Sequence, residues 1–128
     1  MAGSKNVVLV EDEVALRQLY RSALVVADYT VVEAESSVEL YEKLVTFHPD
    51  YLFLDIMLPG VSGLEILREL RSNPVHGCMN AKIVMLTNLG QKSVADSAIE
   101  GGADGYIIKA DILPKDLPRV IASLEEDD

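Results

Sequence analysis

A handful of polar residues in this chain sit where apolar runs end, and together they could handle a phosphoryl group. Asp55 closes Tyr51-Leu52-Phe53-Leu54, and Glu11 and Asp12 follow Val7-Val8-Leu9-Val10. Thr87 ends Ile83-Val84-Met85-Leu86, and Lys109 follows Tyr106-Ile107-Ile108. Carboxylates gathered at one place repel unless a cation lies among them. Oxygen donors with no His or Cys nearby favour Mg2+ or another hard cation. A hydroxyl and an ammonium both donate to phosphoryl oxygens. One of the carboxylates can also serve as the nucleophile and become an aspartyl phosphate.

Such a site needs elements that deliver all of these residues to one edge. Val7 to Val10 reads as a buried strand, and a helix bearing Leu16, Leu19, Ala23 and Val26 on one face follows. Thr30 to Val32 is a second strand. Ser36 and Glu39 form a capping-box pattern opening a helix towards Phe47, stopped by His48-Pro49-Asp50. The third strand ends at Asp55, before a Pro59-Gly60 turn signal. Ser62 and Glu65 form a second capping-box pattern, with Leu64, Leu67 and Leu70 on the helix behind it. Lys82 to Thr87 is a fourth strand, followed by a short helix from about Gln91 to Glu100 that stops at Gly101-Gly102. Gly105 to Ile108 is a fifth strand, and Leu117, Val120, Ile121 and Leu124 mark the last helix.

Alternation of five strands and five helices predicts an α/β fold with a parallel sheet covered on both faces. The expected form is flavodoxin-like, a doubly wound (βα)5 arrangement with strand order 2-1-3-4-5. In such sheets ligands bind beyond the carboxyl ends of the strands, where Glu11, Asp12, Asp55, Thr87 and Lys109 would converge.

Composition narrows the classes of function. The chain has 128 residues, 49% of them hydrophobic and 25% charged, which suits a single domain over 1–128. Residues 1–5 are expected to form a flexible lead and residues 125–128 an acidic tail. A net charge of -10 argues against direct nucleic-acid binding, which requires clustered Lys and Arg. No run approaches membrane-spanning length, and no signal peptide is recognisable. Cys78 is the sole cysteine, so an internal disulfide is excluded, in keeping with a cytoplasmic location. Cys78 reads as an inert thiol, and His48 and His76 as loop residues without a triad or metal pattern.

The chain resembles the receiver domains of bacterial two-component response regulators over nearly its whole length. The resemblance rests on Glu11-Asp12-Glu13, on Asp55-Ile56-Met57-Leu58-Pro59-Gly60 with Gly63, on Thr87, and on Tyr106-Ile107-Ile108-Lys109. It implies that Asp55 is the phosphoacceptor. It also implies that Mg2+ is held by the Asp12 and Asp55 side chains and the Met57 carbonyl, with Glu11 assisting through water. Lys109 and Thr87 would bind the phosphoryl oxygens, and Thr87 and Tyr106 would form the switch. The implied partners are a histidine kinase or phosphotransfer protein and an output partner reached by protein contacts, because no output domain is expected on this chain. The implied role is regulatory rather than that of a dedicated enzyme. A pseudo-receiver, acting as a constitutive interaction module, is the alternative. An FMN carrier would want a Ser/Thr/Gly-rich loop where Glu11-Asp12-Glu13 stands, and a haloacid-dehalogenase-type phosphatase would want an acid at Met57.

Several positions depart from the family pattern. Glu11 stands where Asp is commoner, Asn88 where a small residue is usual, and Ala110 where Pro is usual. A cis bond before Ala costs about 2.5–4 kcal/mol, so Lys109-Ala110 is expected to be trans. Pro118 would disrupt a helix begun at Pro114, so the regular helix is expected from Asp116 or Leu117.

Overall fold

The computed structural model describes residues 5–88 and 92–126. The strands are β1 (Asn6–Val10), β2 (Thr30–Ala34), β3 (Tyr51–Asp55), β4 (Lys82–Thr87) and β5 (Gly105–Ile108). They form one sheet in the order β2-β1-β3-β4-β5, with every neighbouring pair parallel. The helices are α1 (Val14–Val26), α2 (Ser37–Leu44), α3 (Gly63–Ser72), α4 (Lys92–Glu100) and α5 (Leu117–Glu126). This is the flavodoxin-like order expected from the alternation of elements. The order reverses between β1 and β3, the switch point where such sheets open a crevice.

Side chains alternate across a strand, and the core divides accordingly. Val7, Leu9, Tyr51 and Phe53 face α1 and α5, meeting Tyr20, Leu24, Leu117 and Ile121. Val8, Val10, Leu52 and Leu54 face the other layer, meeting Leu40, Leu44, Ile66, Leu67, Leu70 and Ala98. All of β3 is buried, so an acid at its end is held by a strand enclosed on both faces.

The face of α1 differs from expectation. Tyr20 and Leu24 are buried, whereas Leu19 is 56% and Val26 83% exposed. Arg17, Gln18, Arg21 and Ser22 mark one polar side, but the apolar arc opposite is broad, and the sheet selects from it the stripe containing Leu16, Tyr20 and Leu24. At α2, Ser36 Oγ accepts from Glu39 N at 3.2 Å, while the Glu39 carboxylate accepts from Glu35 N at 3.1 Å. Regular helix ends at Leu44, with a last turn bond from Phe47 N to Lys43 O. At α3, Ser62 Oγ accepts from Leu64 N rather than from Glu65 N, which bonds to the Ser62 carbonyl.

Pro114–Asp116 forms a 3-10 turn and α5 starts at Leu117, placing Pro118 in its first turn as the missing N–H requires. There is no cis peptide among the described residues, so Lys109-Ala110 is trans. Glu125, expected in the acidic tail, instead lies within α5 and accepts a hydrogen bond from the Tyr51 hydroxyl. That bond ties the last turn of α5 to β3. Residues 1–4 of the expected lead, residues 127–128 of the tail, and Gln91 lie outside the described residues.

Candidate functional site

Parallel pairing brings the ends of β1, β3, β4 and β5 to one edge of the sheet. Glu11 follows β1 directly, and its amide continues the pairing by donating to Ala34 O at 3.0 Å. Its side chain is 1% exposed and turns back over the loop, where Oε2 accepts from Glu13 N at 3.1 Å. Asp12, one residue on, is exposed. Asp55 ends β3, and its Oδ1 accepts from Met57 N at 2.9 Å. Thr87 ends β4 and is fully buried. Lys109 leaves β5 in the 3-10 turn Lys109–Asp111, and its ammonium bridges two acids, 2.6 Å from Glu11 Oε1 and 2.7 Å from Asp55 Oδ2.

Gly63 controls how closely α3 approaches this edge. Its N–H donates to the Ile56 carbonyl at 2.9 Å. A Cβ at this position would lie 2.2 Å from the Asp55 carbonyl oxygen and 2.7 Å from Ile56 Cα. The absence of a side chain therefore lets the start of α3 brace the backbone that carries the acid.

The charges do not balance. Carboxylate oxygens of Glu11, Asp12 and Asp55 lie within 4.8 Å of one another. At such separations the carboxylates repel one another, the buried Glu11 and Asp55 most strongly, and the exposed Asp12 less because water screens it. One ammonium cannot neutralise three carboxylates. Burial pushes the Glu11 carboxyl above its ordinary range, against the hydrogen bonds from Lys109 and Glu13. Burial also works against the Lys109 charge, but its bonds to Asp55 and Glu11 outweigh it and hold the ammonium above the usual lysine range. The donors are all oxygens and one of the acids is open to solvent, a set that suits a hard divalent cation such as Mg2+.

Tyr106 lies on β5 opposite Met85, half-buried against the α2–α4 core layer. Met57 exposes its side chain while its amide braces Asp55. His48 lies in the loop before β3, its ring beside Gly77. His76 shares a hydrogen bond with Glu69 Oε2 at 2.8 Å and stacks on Tyr41. Cys78 is buried.

Arg17 is a residue that sequence patterns did not single out. Its Nη1 donates to the Glu11 carbonyl at 2.8 Å and its Nε to Glu33 Oε1 on β2 at 3.1 Å. No local pattern links a helical arginine to a strand acid sixteen positions away.

The response regulator receiver domain profile matches residues 7–122. The chain is 36% identical to the phosphate regulon transcriptional regulatory protein PhoB of Pseudomonas aeruginosa over 105 residues, covering 82% of this chain and 45% of PhoB. It is 32% identical to the chemotaxis protein CheY of Halobacterium salinarum over 123 residues, covering 96% of each. It therefore spans about half the length of the PhoB relative and nearly all of the CheY relative. Among solved structures, a CheY-like receiver domain protein from Methanospirillum hungatei superimposes with a TM-score of 0.83 at 25% identity, covering 97% of this chain and 96% of that one. The profile match over most of the chain, joined to this strand order and this edge, makes the chain a member of the response regulator receiver domain family of two-component systems.

Proposed function

We propose that this chain is a phosphorylation-switched receiver in which Asp55 accepts a phosphoryl group from a histidine kinase or phosphotransfer protein. The observation carrying this reading is the convergence of Asp55 and Lys109 at 2.7 Å beside the Glu11–Asp12 pair. An Asp55 oxygen attacks the phosphorus of a phosphohistidine donor in line. The P–N bond breaks as the P–O bond forms, and the departing imidazole retains the electron pair. Asp12, Asp55 and the Met57 carbonyl would hold Mg2+, with Glu11 assisting through water. When bound, the ion offsets the repulsion between an anionic nucleophile and an anionic donor. Lys109 and Thr87 donate to the phosphoryl oxygens.

The product brings added charge of about -1.5 to -2, by analogy with other phosphorylated side chains. Lys109 and Thr87 then gain contacts that exist in one state alone, and such differential contact shifts a two-state equilibrium. Tyr106, on the strand beside Thr87, is the residue proposed to register that shift. The signal passes through protein–protein contacts rather than through nucleic acid, and the setting is cytoplasmic. No described helix is long and apolar enough to cross a membrane.

Intact-mass analysis after incubation with acetyl phosphate tests the reading. One added phosphoryl group is expected, dependent on Mg2+ and lost in D55N. No added mass, under conditions that label an established receiver, would favour a constitutive pseudo-receiver instead.

A further inference from the structure

A groove between α2 and the turn after α3 is flanked by aliphatic side chains that stand in solvent. Val45 is 77% exposed, Val75 75% and Val38 67%. Val38, Tyr41 and Val45 follow one another at spacings of three and four, along one flank of α2 and its C-cap. Val75 stands opposite, in the 3-10 turn Pro74–His76. Tyr41, Leu44, Val45, Val75 and His76 enclose about 170 Å3 between them. The far wall is built rather than loose. The His76 ring stacks on Tyr41 with centroids 4.8 Å apart, and its Nε2 shares a hydrogen bond with Glu69 Oε2 at 2.8 Å. The same oxygen accepts from Asn73 Nδ2 at 2.9 Å, and Asn73 Oδ1 accepts from Val75 N at 3.1 Å. A chain of bonds reaching back to α3 thus holds Val75 out.

The charges around this groove share one sign. Glu42 and Glu65 are exposed, and Glu69 is partly so. The bases of the same helices turn elsewhere. Lys43 Nζ donates to the Glu33 carbonyl at 3.2 Å, on the β2 side, and Arg68 lines a separate cavity with Arg71, Ser97 and Glu100 on the α4 side. We propose that the groove docks a basic amphipathic helix of another protein, one apolar side chain entering beside Val45 and Val75 while Lys and Arg on its flanks meet Glu42, Glu65 and Glu69. At about 170 Å3 the space falls below the roughly 300–1,000 Å3 of small-molecule sites and suits a single anchoring side chain. The stripe from Val38 to Val45 runs along two turns of α2, the footprint of a helix lying in a groove. A second copy of this chain would set the same acids against each other and be repelled. None of these residues belongs to the phosphoryl site, so the inference goes beyond the phosphoacceptor reading and does not rest on it.

Amide NMR titration of the unphosphorylated full chain tests this. The probe is a synthetic peptide of Leu and Lys set at helical spacing; its comparisons carry Glu for every Lys, or Ser for every Leu. The Leu/Lys peptide should bind saturably, with the largest shifts at Tyr41, Val45, Val75 and His76. Neither comparison peptide should shift those amides. V45S/V75S should weaken binding about tenfold, as loss of an anchoring contact does. V26S, an exposed valine of α1, should leave it unchanged. E42Q should weaken it by about threefold, the scale of an exposed ion pair, and E100Q on α4 should not. Both valines are exposed, and the amide spectrum away from the groove establishes that each variant is folded. No saturable shift, shifts centred on another face, or V45S/V75S binding as well as wild type would overturn the proposal. So would a dimer in sedimentation that V45S/V75S abolishes, since the occupant would then be a second copy of this chain. Labelling by acetyl phosphate is read separately, and its failure would sink the phosphoacceptor reading without touching the groove.

Discussion

Arg71 and Lys109 are both shielded cations that bind several acceptors, and they lie at opposite edges of the sheet. Arg71, near the end of α3, donates to the carbonyls of Gly102, Cys78, Met79 and Ala81 at 2.9, 3.0, 3.2 and 2.7 Å. Its Nη2 meets Asp104 Oδ2 at 2.6 Å, and the same oxygen accepts from Ile83 N at 2.8 Å. The acceptors lie just before β4 and β5, where loops turn into the sheet. One guanidinium faces one carboxylate and several neutral carbonyls, so the charges close. At the other edge one ammonium faces three carboxylates, and they do not. A charge serving structure is satisfied by the chain itself. On the proposed reading, the other edge is left short of counter-charge that a bound cation would bring.

The sharpest way to break this contrast is to remove each cation. R71M and K109M should each lose about 3 kcal/mol or more in urea unfolding, because each leaves buried or part-buried acceptors uncompensated. Measured against wild type at the same Mg2+ concentration, the K109M deficit should narrow, because its native state binds the ion more tightly, while the R71M deficit should stay unchanged. Equal responses to Mg2+ would erase the distinction between the two edges.

Glycines give a smaller test at the rim. G63A should cost about 2 kcal/mol, since its Cβ meets main chain at Asp55 and Ile56 that cannot swing aside. G60A is the comparison: nothing lies within 4 Å, and the cost is that of its φ of +83°, about 1 kcal/mol. G63A should also weaken Mg2+ binding, whereas G60A should do so less. Equal costs in urea and equal Mg2+ affinities would show that α3 does not brace the acid.

At neutral pH Cys78 should show the least effect, and it marks the closed edge as chemically quiet. Burial pushes its thiol up to about 11, against the nearby Arg71 charge. A folded value above the unfolded 9.0 means that this contribution is whole below pH 9 and is lost as pH rises through about 11. The loss is about 0.4 kcal/mol at pH 9 and about 2 kcal/mol by pH 11. C78A should therefore show a shallower fall in urea midpoint between pH 9 and 11 than the wild-type chain. Parallel curves, or rapid labelling of the native thiol at neutral pH, would contradict a sealed edge.

Much of the fold is local and so was legible in the residues. Apolar runs of strand length, the Ser36 and Ser62 helix starts, the Gly101-Gly102 stop and the Pro114/Pro118 pair act within a few positions of chain, and each produces its element. The parallel order follows from their alternation, and a parallel order alone gathers Glu11, Asp12, Asp55, Thr87 and Lys109 at one edge. Tertiary structure decided what depends on contacts distant in sequence. The sheet chose Tyr20 over Leu19 for the buried face of α1, since the apolar arc of this helix is broader than the stripe it buries. Tyr51 meets Glu125, in the last turn of α5, across seventy-four positions. Lys109 came to rest between Glu11 and Asp55, and Arg17 on the Glu11 carbonyl, because side-chain partners are set by the distances that packing leaves between elements.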